Sequence, residues 1–157
     1  MTQENVEIIR QSYEAFNSRD LTLIGSLLHP DFELNLSNSM GFDRSNYLGE
    51  RGLERFFESY WDAFESISIE VDELIGTGDA IVAIIRARGR GTGSGIEVDA
   101  RGPHLWSFRD GKVVGLALYE HLDEALEAAS LAQARDGEGA KRSDPMRAMS
   151  QENADRS

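Results

Sequence analysis

An α+β fold, with helices on one side of an antiparallel sheet, is predicted by three features of this sequence. Apolar residues recur at helical spacing in the first half of the chain, at Val6, Ile9, Tyr13 and Phe16 and again at Leu53, Phe56, Phe57, Tyr60, Trp61 and Phe64. Each set covers one face of a helix. From Ile67 onward the period changes to two, and glycine-rich turns divide the alternating segments into four strands. A last short helix, seeded by Leu122, Ala125, Leu126 and Ala129, follows them. Helices grouped apart from an antiparallel meander define an α+β layer arrangement, here with the helices on one side of the sheet.

Thr2 is placed to cap the first helix. Asp20 caps a short second helix with Leu23, Ile24, Leu27 and Leu28 on its inner side, and Pro30 ends it. Phe32-Glu33-Leu34-Asn35-Leu36 alternates as a strand. Ser37 to Gly52 is polar and punctuated by glycine, which marks it as a candidate lid. Ile67, Ile69 and Val71 begin the meander, and Gly76-Thr77-Gly78-Asp79 turns into a strand over 80–90. The glycine run from Gly89 to Gly95 reverses the chain into Ile96–Phe108. Asp110-Gly111 is a two-residue hairpin signal, because both central positions of that turn need positive φ. Lys112 to Glu120 is the final strand.

Composition narrows the function classes. A chain of 157 residues with 40% hydrophobic and 28% charged residues is one ordinary domain in size and content. The net charge of -12 falls entirely on residues 1–131, because 132–157 carries five basic and five acidic side chains. Such a surface repels phosphate backbones and anionic membranes, so no nucleic-acid or membrane partner is expected. No apolar run approaches the roughly 20 residues that span a bilayer, and the N-terminus lacks the features of a secretion signal. Without cysteine there is no disulfide framework, and a cytoplasmic location is the default expectation. From Ala132 onward the chain has no aromatic or branched aliphatic residue. The expected division is therefore a domain over 1–131 and a disordered polar tail over 132–157.

Strand faces give the first view of a site. Ile96, Val98, Ala100, His104, Trp106 and Phe108 share one face of their strand, while Glu97, Asp99 and Arg101 share the other. Residues 80–90 begin apolar on both faces, with Val82 and Ile84 on one and Ile81, Ala83 and Ile85 on the other. Leu105, Leu116 and Leu118 are assigned to that second set. An outer apolar face needs a cover, and with every helix already placed, a homodimer through that face is expected. Arg86 and Arg88 share parity with Val82 and Ile84. They either reach the pocket mouth and favour a carboxylate-bearing ligand, or sit in solvent beyond Ile85.

His104 is either a pocket acid, base or donor, or a core histidine satisfied by a neighbour. Tyr13 needs a partner for its hydroxyl, whether His104, a water or a ligand oxygen. Phe57, Tyr60, Trp61, Trp106 and Tyr119 are candidate pocket walls, with plain core as the alternative. The glycine run lies between two strands and not before a helix, so it is no phosphate cradle. His29, His104 and His121 show no metal-ligand spacing. No metal or cofactor is expected.

Four stretches carry a resemblance to a known family: Tyr13-Glu14-Ala15-Phe16-Asn17-Ser18-Arg19-Asp20, Leu27-Leu28-His29-Pro30-Asp31-Phe32, Phe108 to Val114, and Tyr119 through Leu126. Together they resemble the nuclear-transport-factor-2-like superfamily, in its SnoaL-like and ketosteroid-isomerase-like members. The resemblance spans residues 1 to about 131 and implies a cone-shaped roll, with N-terminal helices packed on a strongly curved, mostly antiparallel sheet that encloses a pocket. It also implies a small hydrophobic ligand, held either by a cofactor-independent enzyme or by a non-catalytic binding or accessory module. In the isomerase members a carboxylate base works with a tyrosine and a protonated acid that stabilise an oxyanion. By position the tyrosine matches Tyr13 and the acid matches His104, but the base falls on Leu36, which accepts no proton. Asn35 and Ser37 are not useful bases either. Cyclase members place a carboxylate on the last strand, where this chain reads Gly115-Leu116-Ala117-Leu118. Glu120 is nearest and is expected to face outward.

Overall fold

The computed structural model describes residues 2–38 and 45–131 and the backbone course of 132–141. Helix α1 (Gln3–Ser18) begins where the Thr2 hydroxyl accepts from the Asn5 amide, and ends at Arg19 in the left-handed region. Asp20 then caps α2 (Leu21–Ser26) by accepting from the Leu23 amide. This helix is shorter than expected. Leu28 already belongs to strand β1 (Leu28–Asn38), so Pro30 lies in a strand and does not terminate a helix. It falls in the irregular stretch between Leu28 and Glu33, where the ladder to the neighbouring strand is interrupted and a missing N–H is tolerated.

Strand β2 (Asn46–Leu48), helix α3 (Gly49–Asp62) and strands β3 (Phe64–Thr77), β4 (Ala80–Gly91), β5 (Glu97–Arg109) and β6 (Lys112–Tyr119) follow, and α4 (Leu122–Lys141) closes the described chain. Phe64, counted on the stripe of the third helix, instead opens β3. The lid expected over Ser37 to Gly52 falls partly on 39–44, outside the described residues; of the remainder, β2 and the start of α3 take up 46–52. Helix α4 runs ten residues past the domain end placed at 131. The rest of the tail expectation, over 142–157, lies outside the described residues.

The expected cone-shaped roll is corrected by the strand order. The sheet is neither strongly curved nor closed. Its described strands run β2-β1-β6-β5-β4-β3, which leaves β2 and β3 as separate edges. It is also mixed, because β1 pairs with β6 in parallel. Closure would require β2 to meet β3, and a strand of three residues offers little edge to do so.

Helices α1 and α3 pack on one face of this open sheet, and α4 lies on the other, against β4 and β5. The second face carries its own small core: Val82 and Leu105 from the strands, Ala125 and Ala129 from the helix. Alanines four residues apart present no bulk and let the helix lie close to the strands. Both faces of β4 are therefore apolar for an internal reason. Of the residues assigned to an outer apolar face, Leu105 is covered by α4 of the same chain, while Ile81, Ala83, Ile85, Leu116 and Leu118 pack in the core on the other face.

One polar side chain manages the long free edge at β3. The Asn17 carboxamide receives the Ile69 amide at 2.8 Å and donates to the Ile69 carbonyl at 3.0 Å. It thereby pairs both backbone groups as a neighbouring strand would, and an unpaired edge is the usual site of unwanted strand addition. Asn17→Ala is expected to lower stability by about 1–2 kcal/mol, the cost of leaving half-buried backbone groups unpaired, in chemical denaturation followed by circular dichroism.

Candidate functional site

A cavity of about 710 Å³ lies between α1, α3 and the helix-packed face of the sheet. That volume falls within the range of small-molecule sites, roughly 300–1,000 Å³. Its walls are supplied by alternate residues of each strand: Leu34 from β1, Ile85 and Ala87 from β4, His104 and Trp106 from β5, Leu116 and Leu118 from β6. The helices add Phe16, Phe56, Phe57 and Tyr60. Phe16 and Phe57 meet edge-on at 5.2 Å and 66°, and Phe56 and Tyr60 stack at 5.6 Å and 17°, arrangements suited to the charge distribution of aromatic faces and edges.

Two of the strand assignments read from sequence parity are reversed here. Ala83 pairs with His104 and Ile81 with Trp106, so the cavity face of β4 holds the odd-numbered residues. Arg86 and Arg88 consequently stand on the opposite face, away from the cavity. Arg86 forms a forked pair with Asp99, both contacts at 2.9 Å, and Arg88 approaches Glu70 at 3.8 Å. The Asp99 hydrogen bond raises the Arg86 pKa, and the same bond lowers that of Asp99. Leu116 and Leu118, expected on the outer face, line the cavity beside Trp106 and His104. The cause is a register shift. Phe108 pairs with Val113, but Ser107 pairs with Gly115, so Val114 is an extra residue that turns the rest of β6 over.

Inside the cavity Tyr13 and His104, 91 positions apart in sequence, come together. Tyr13 Oη lies 2.7 Å from His104 Nδ1, and the Trp106 indole N–H donates to Tyr13 Oη at 3.1 Å. The Tyr13 and Trp106 rings are edge-to-face at 5.3 Å. Burial raises the Tyr13 pKa well above its ordinary value, the Trp106 hydrogen bond opposing this only partly. Burial also lowers the His104 pKa to about 4, which keeps the imidazole neutral at neutral pH. The trio is thus an uncharged hydrogen-bonded unit in an apolar wall.

The remaining candidates separate. Phe57 and Tyr60 line the cavity, and burial raises the Tyr60 pKa. Trp61 does not line it: its ring packs on Phe57 at 5.1 Å and Phe16 at 5.6 Å, beneath the Arg19 guanidinium. Tyr119 lies among the lining residues and also packs against the α4 core. Its pKa is raised, chiefly by burial and further by Glu124. Leu36 is fully buried and takes no part in the lining, so no proton acceptor stands at the position where the isomerase members carry their base.

Glu120, expected to face outward, is exposed and approaches His121 at 3.7 Å, yet it also borders the cavity with Arg101 and Ser12, and among the described residues it is the one carboxylate there. Strand β6 has ended at Tyr119, so strand alternation no longer applies to Glu120. A carboxylate immediately after the last strand was the available signal. No group of three or more histidine, aspartate or glutamate side chains is placed to hold a metal among the described residues, and no described helix is long and apolar enough to cross a membrane.

This α+β chain, with four described helices and an apolar cavity on one face of a mixed sheet, has the nuclear-transport-factor-2-like fold, and solved structures bear this out. TerC, co-crystallised with polyporic acid, is 25% identical and superposes with a TM-score of 0.68, over 82% of this chain and 99% of that one. A nuclear-transport-factor-2-like protein of unknown function from Burkholderia pseudomallei is 23% identical with a TM-score of 0.68, over 80% and 97%. A Mycobacterium tuberculosis protein, in complex with estradiol-17β-hemisuccinate, is 17% identical with a TM-score of 0.64, over 78% and 97%. No functionally curated protein matches the sequence. The SnoaL-like domain profile matches residues 9–116, well over half of the chain. The chain belongs to the SnoaL-like domain family.

Proposed function

We propose that this protein binds a small, largely apolar organic molecule in the cavity between α1, α3 and the sheet, with the edge of the His104 ring as its main polar contact. The observation that carries this is the cavity itself: about 710 Å³ of space, walled by aromatic and aliphatic side chains, with one neutral hydrogen-bonded trio set into the wall. A few polar groups in an apolar hollow orient a ligand without demanding charge on it. TerC, a structural relative at 25% identity, was crystallised with an organic acid, which agrees with a ligand of this size class.

Titration with methyl naphthyl ketone, followed by calorimetry, tests the proposal. Leu118 stands opposite His104 in the β5–β6 ladder and is only half-buried because it faces the cavity. Leu118→Trp fills that space with an indole and is expected to weaken binding at least about tenfold, the equivalent of about 1.4 kcal/mol. Equal binding by the variant, or none by the wild type, would remove the cavity as the site.

A catalytic role for the same cavity rests on Glu120, the carboxylate among its lining residues. A general base must come within about 3 Å of the proton it takes. If a bound ligand is turned over, Glu120→Gln should abolish turnover and leave binding intact. Turnover unchanged in that variant would leave a binding module.

A further inference from the structure

We infer that Trp106, acting through Tyr13, fixes His104 in the tautomer that carries its proton on Nε2, so that the cavity presents a hydrogen-bond donor and selects ligands bearing a carbonyl or other acceptor oxygen. This rests on the small-molecule reading above and adds the functional group the ligand must bring.

The direction of the first bond is not adjustable. An indole N–H only donates, so the 3.1 Å contact from Trp106 Nε1 occupies Tyr13 Oη as an acceptor. The 2.7 Å contact between Tyr13 Oη and His104 Nδ1 then has two possible senses. If Nδ1 carried the proton, the tyrosine oxygen would accept twice, and its own O–H would have no protein partner in a buried position. An orphaned buried donor costs more than a single net hydrogen bond returns. If Tyr13 donates to Nδ1, all three groups are satisfied in one chain from Trp106 through Tyr13 to His104.

The second arrangement puts the single proton of the neutral ring on Nε2. That atom makes no hydrogen bond within the described protein, yet it is not among the enclosed, unpartnered atoms. The His104 ring also keeps accessible surface and lines the cavity. Nε2–H therefore opens onto the space a ligand would fill. The low pKa of the ring, about 4, agrees with a neutral imidazole carrying one proton. A neutral Nε2–H donates and cannot accept, so a ketone, quinone, ester or amide oxygen is matched there, whereas a group that only donates is not. Trp106 is a positioning residue in this account: its indole need not touch the ligand's polar atom in order to decide which polar atom is accepted.

The test has two arms on the full chain. A long-range proton–nitrogen correlation spectrum, with the His104 signals assigned by their loss in His104→Gln, should show Nε2 protonated and Nδ1 bare. Trp106→Phe removes the fixed donor, and the second tautomer should then appear. In the binding arm, methyl naphthyl ketone should bind about tenfold more tightly than isopropenylnaphthalene, which has the same shape without the oxygen. That ratio should fall to about threefold or less in Trp106→Phe, the energies being those of a single net hydrogen bond. A protonated Nδ1 in the wild type, or equal binding of ketone and alkene, would overturn the inference while leaving a binding cavity intact. Failure of both naphthalenes to bind would count against the small-molecule reading, and the spectrum would still decide the tautomer. If Trp106→Phe does not fold, the wild-type spectrum and the wild-type ketone-to-alkene ratio remain decisive.

Discussion

Leu36→Asp is expected to destabilise the fold by about 3–5 kcal/mol, the cost of an uncompensated buried charge together with lost packing, and to gain no proton-abstracting activity. By resemblance this is the position at which the ketosteroid-isomerase-like members hold their base, so the substitution looks like a restoration. The surroundings say otherwise. Leu36 has 0% exposure and belongs to the core with Phe32 and Leu34. It is absent from the cavity wall, so a carboxylate there would meet neither water nor ligand. Its flanking residues cannot come to its aid, because Asn35 Oδ1 is occupied by the Ser37 amide and hydroxyl on the exposed side of the strand. Buried in this way, the new carboxyl would hold its proton with a raised pKa, and the chain would lose stability as the pH rises from the ordinary carboxylate value of about 3.9 up to that raised value, levelling off beyond it. Urea denaturation at two pH values measures both effects. A variant as stable as the wild type would mean that the cavity extends to Leu36, and the base position would then be open for chemistry.

The sequence made the elements readable and their faces much less so, for identifiable reasons. Helix α1, with Thr2 before it, and the Asp110-Gly111 turn are local signals: each depends on residues within a few positions of one another. Which face of β4 looks into the cavity depends instead on the pairing between β4 and β5, which the Gly91–Ile96 reversal determines. A slip of one residue there moves Arg86 and Arg88 from one side to the other. A single bulge at Val114 did the same to Leu116 and Leu118. Helix α4 was legible as a helix, but nothing within 122–131 says which face of the sheet it covers. Tyr13 and His104 were foreseen as one pairing among several open to the tyrosine hydroxyl, and Trp106 was foreseen as a wall and not as the donor that completes the trio. Side-chain partnerships across the whole chain belong to tertiary structure, and alternation in sequence carries no record of them.

That trio makes a second large effect measurable. Between about pH 7.5 and about pH 5, the wild type is expected to lose about 2 kcal/mol more stability than His104→Gln loses over the same interval. Burial holds the His104 pKa at about 4 in the folded protein, against 6.5 for an unperturbed histidine. Below 6.5 the unfolded chain therefore takes up a proton that the folded chain refuses. The unfolded state binds more protons, so stability rises with pH in this window: it is fully present above 6.5, declines as the pH falls, and levels off once the folded pKa is passed near 4. Each unit of that window is worth about 1.4 kcal/mol. Carboxylates elsewhere titrate in both proteins, so their contribution cancels in the difference between wild type and variant. Glu120 shares the cavity lining with His104, and repeating the comparison in Glu120→Gln separates any contribution it makes. Binding should respond differently. Since His104 stays mostly neutral in the folded state down to about pH 5, the affinity for methyl naphthyl ketone should remain nearly constant over an interval in which stability declines. If affinity and stability fell together, the ring would be charging within the folded protein, and a neutral His104 could not be the group that meets the ligand.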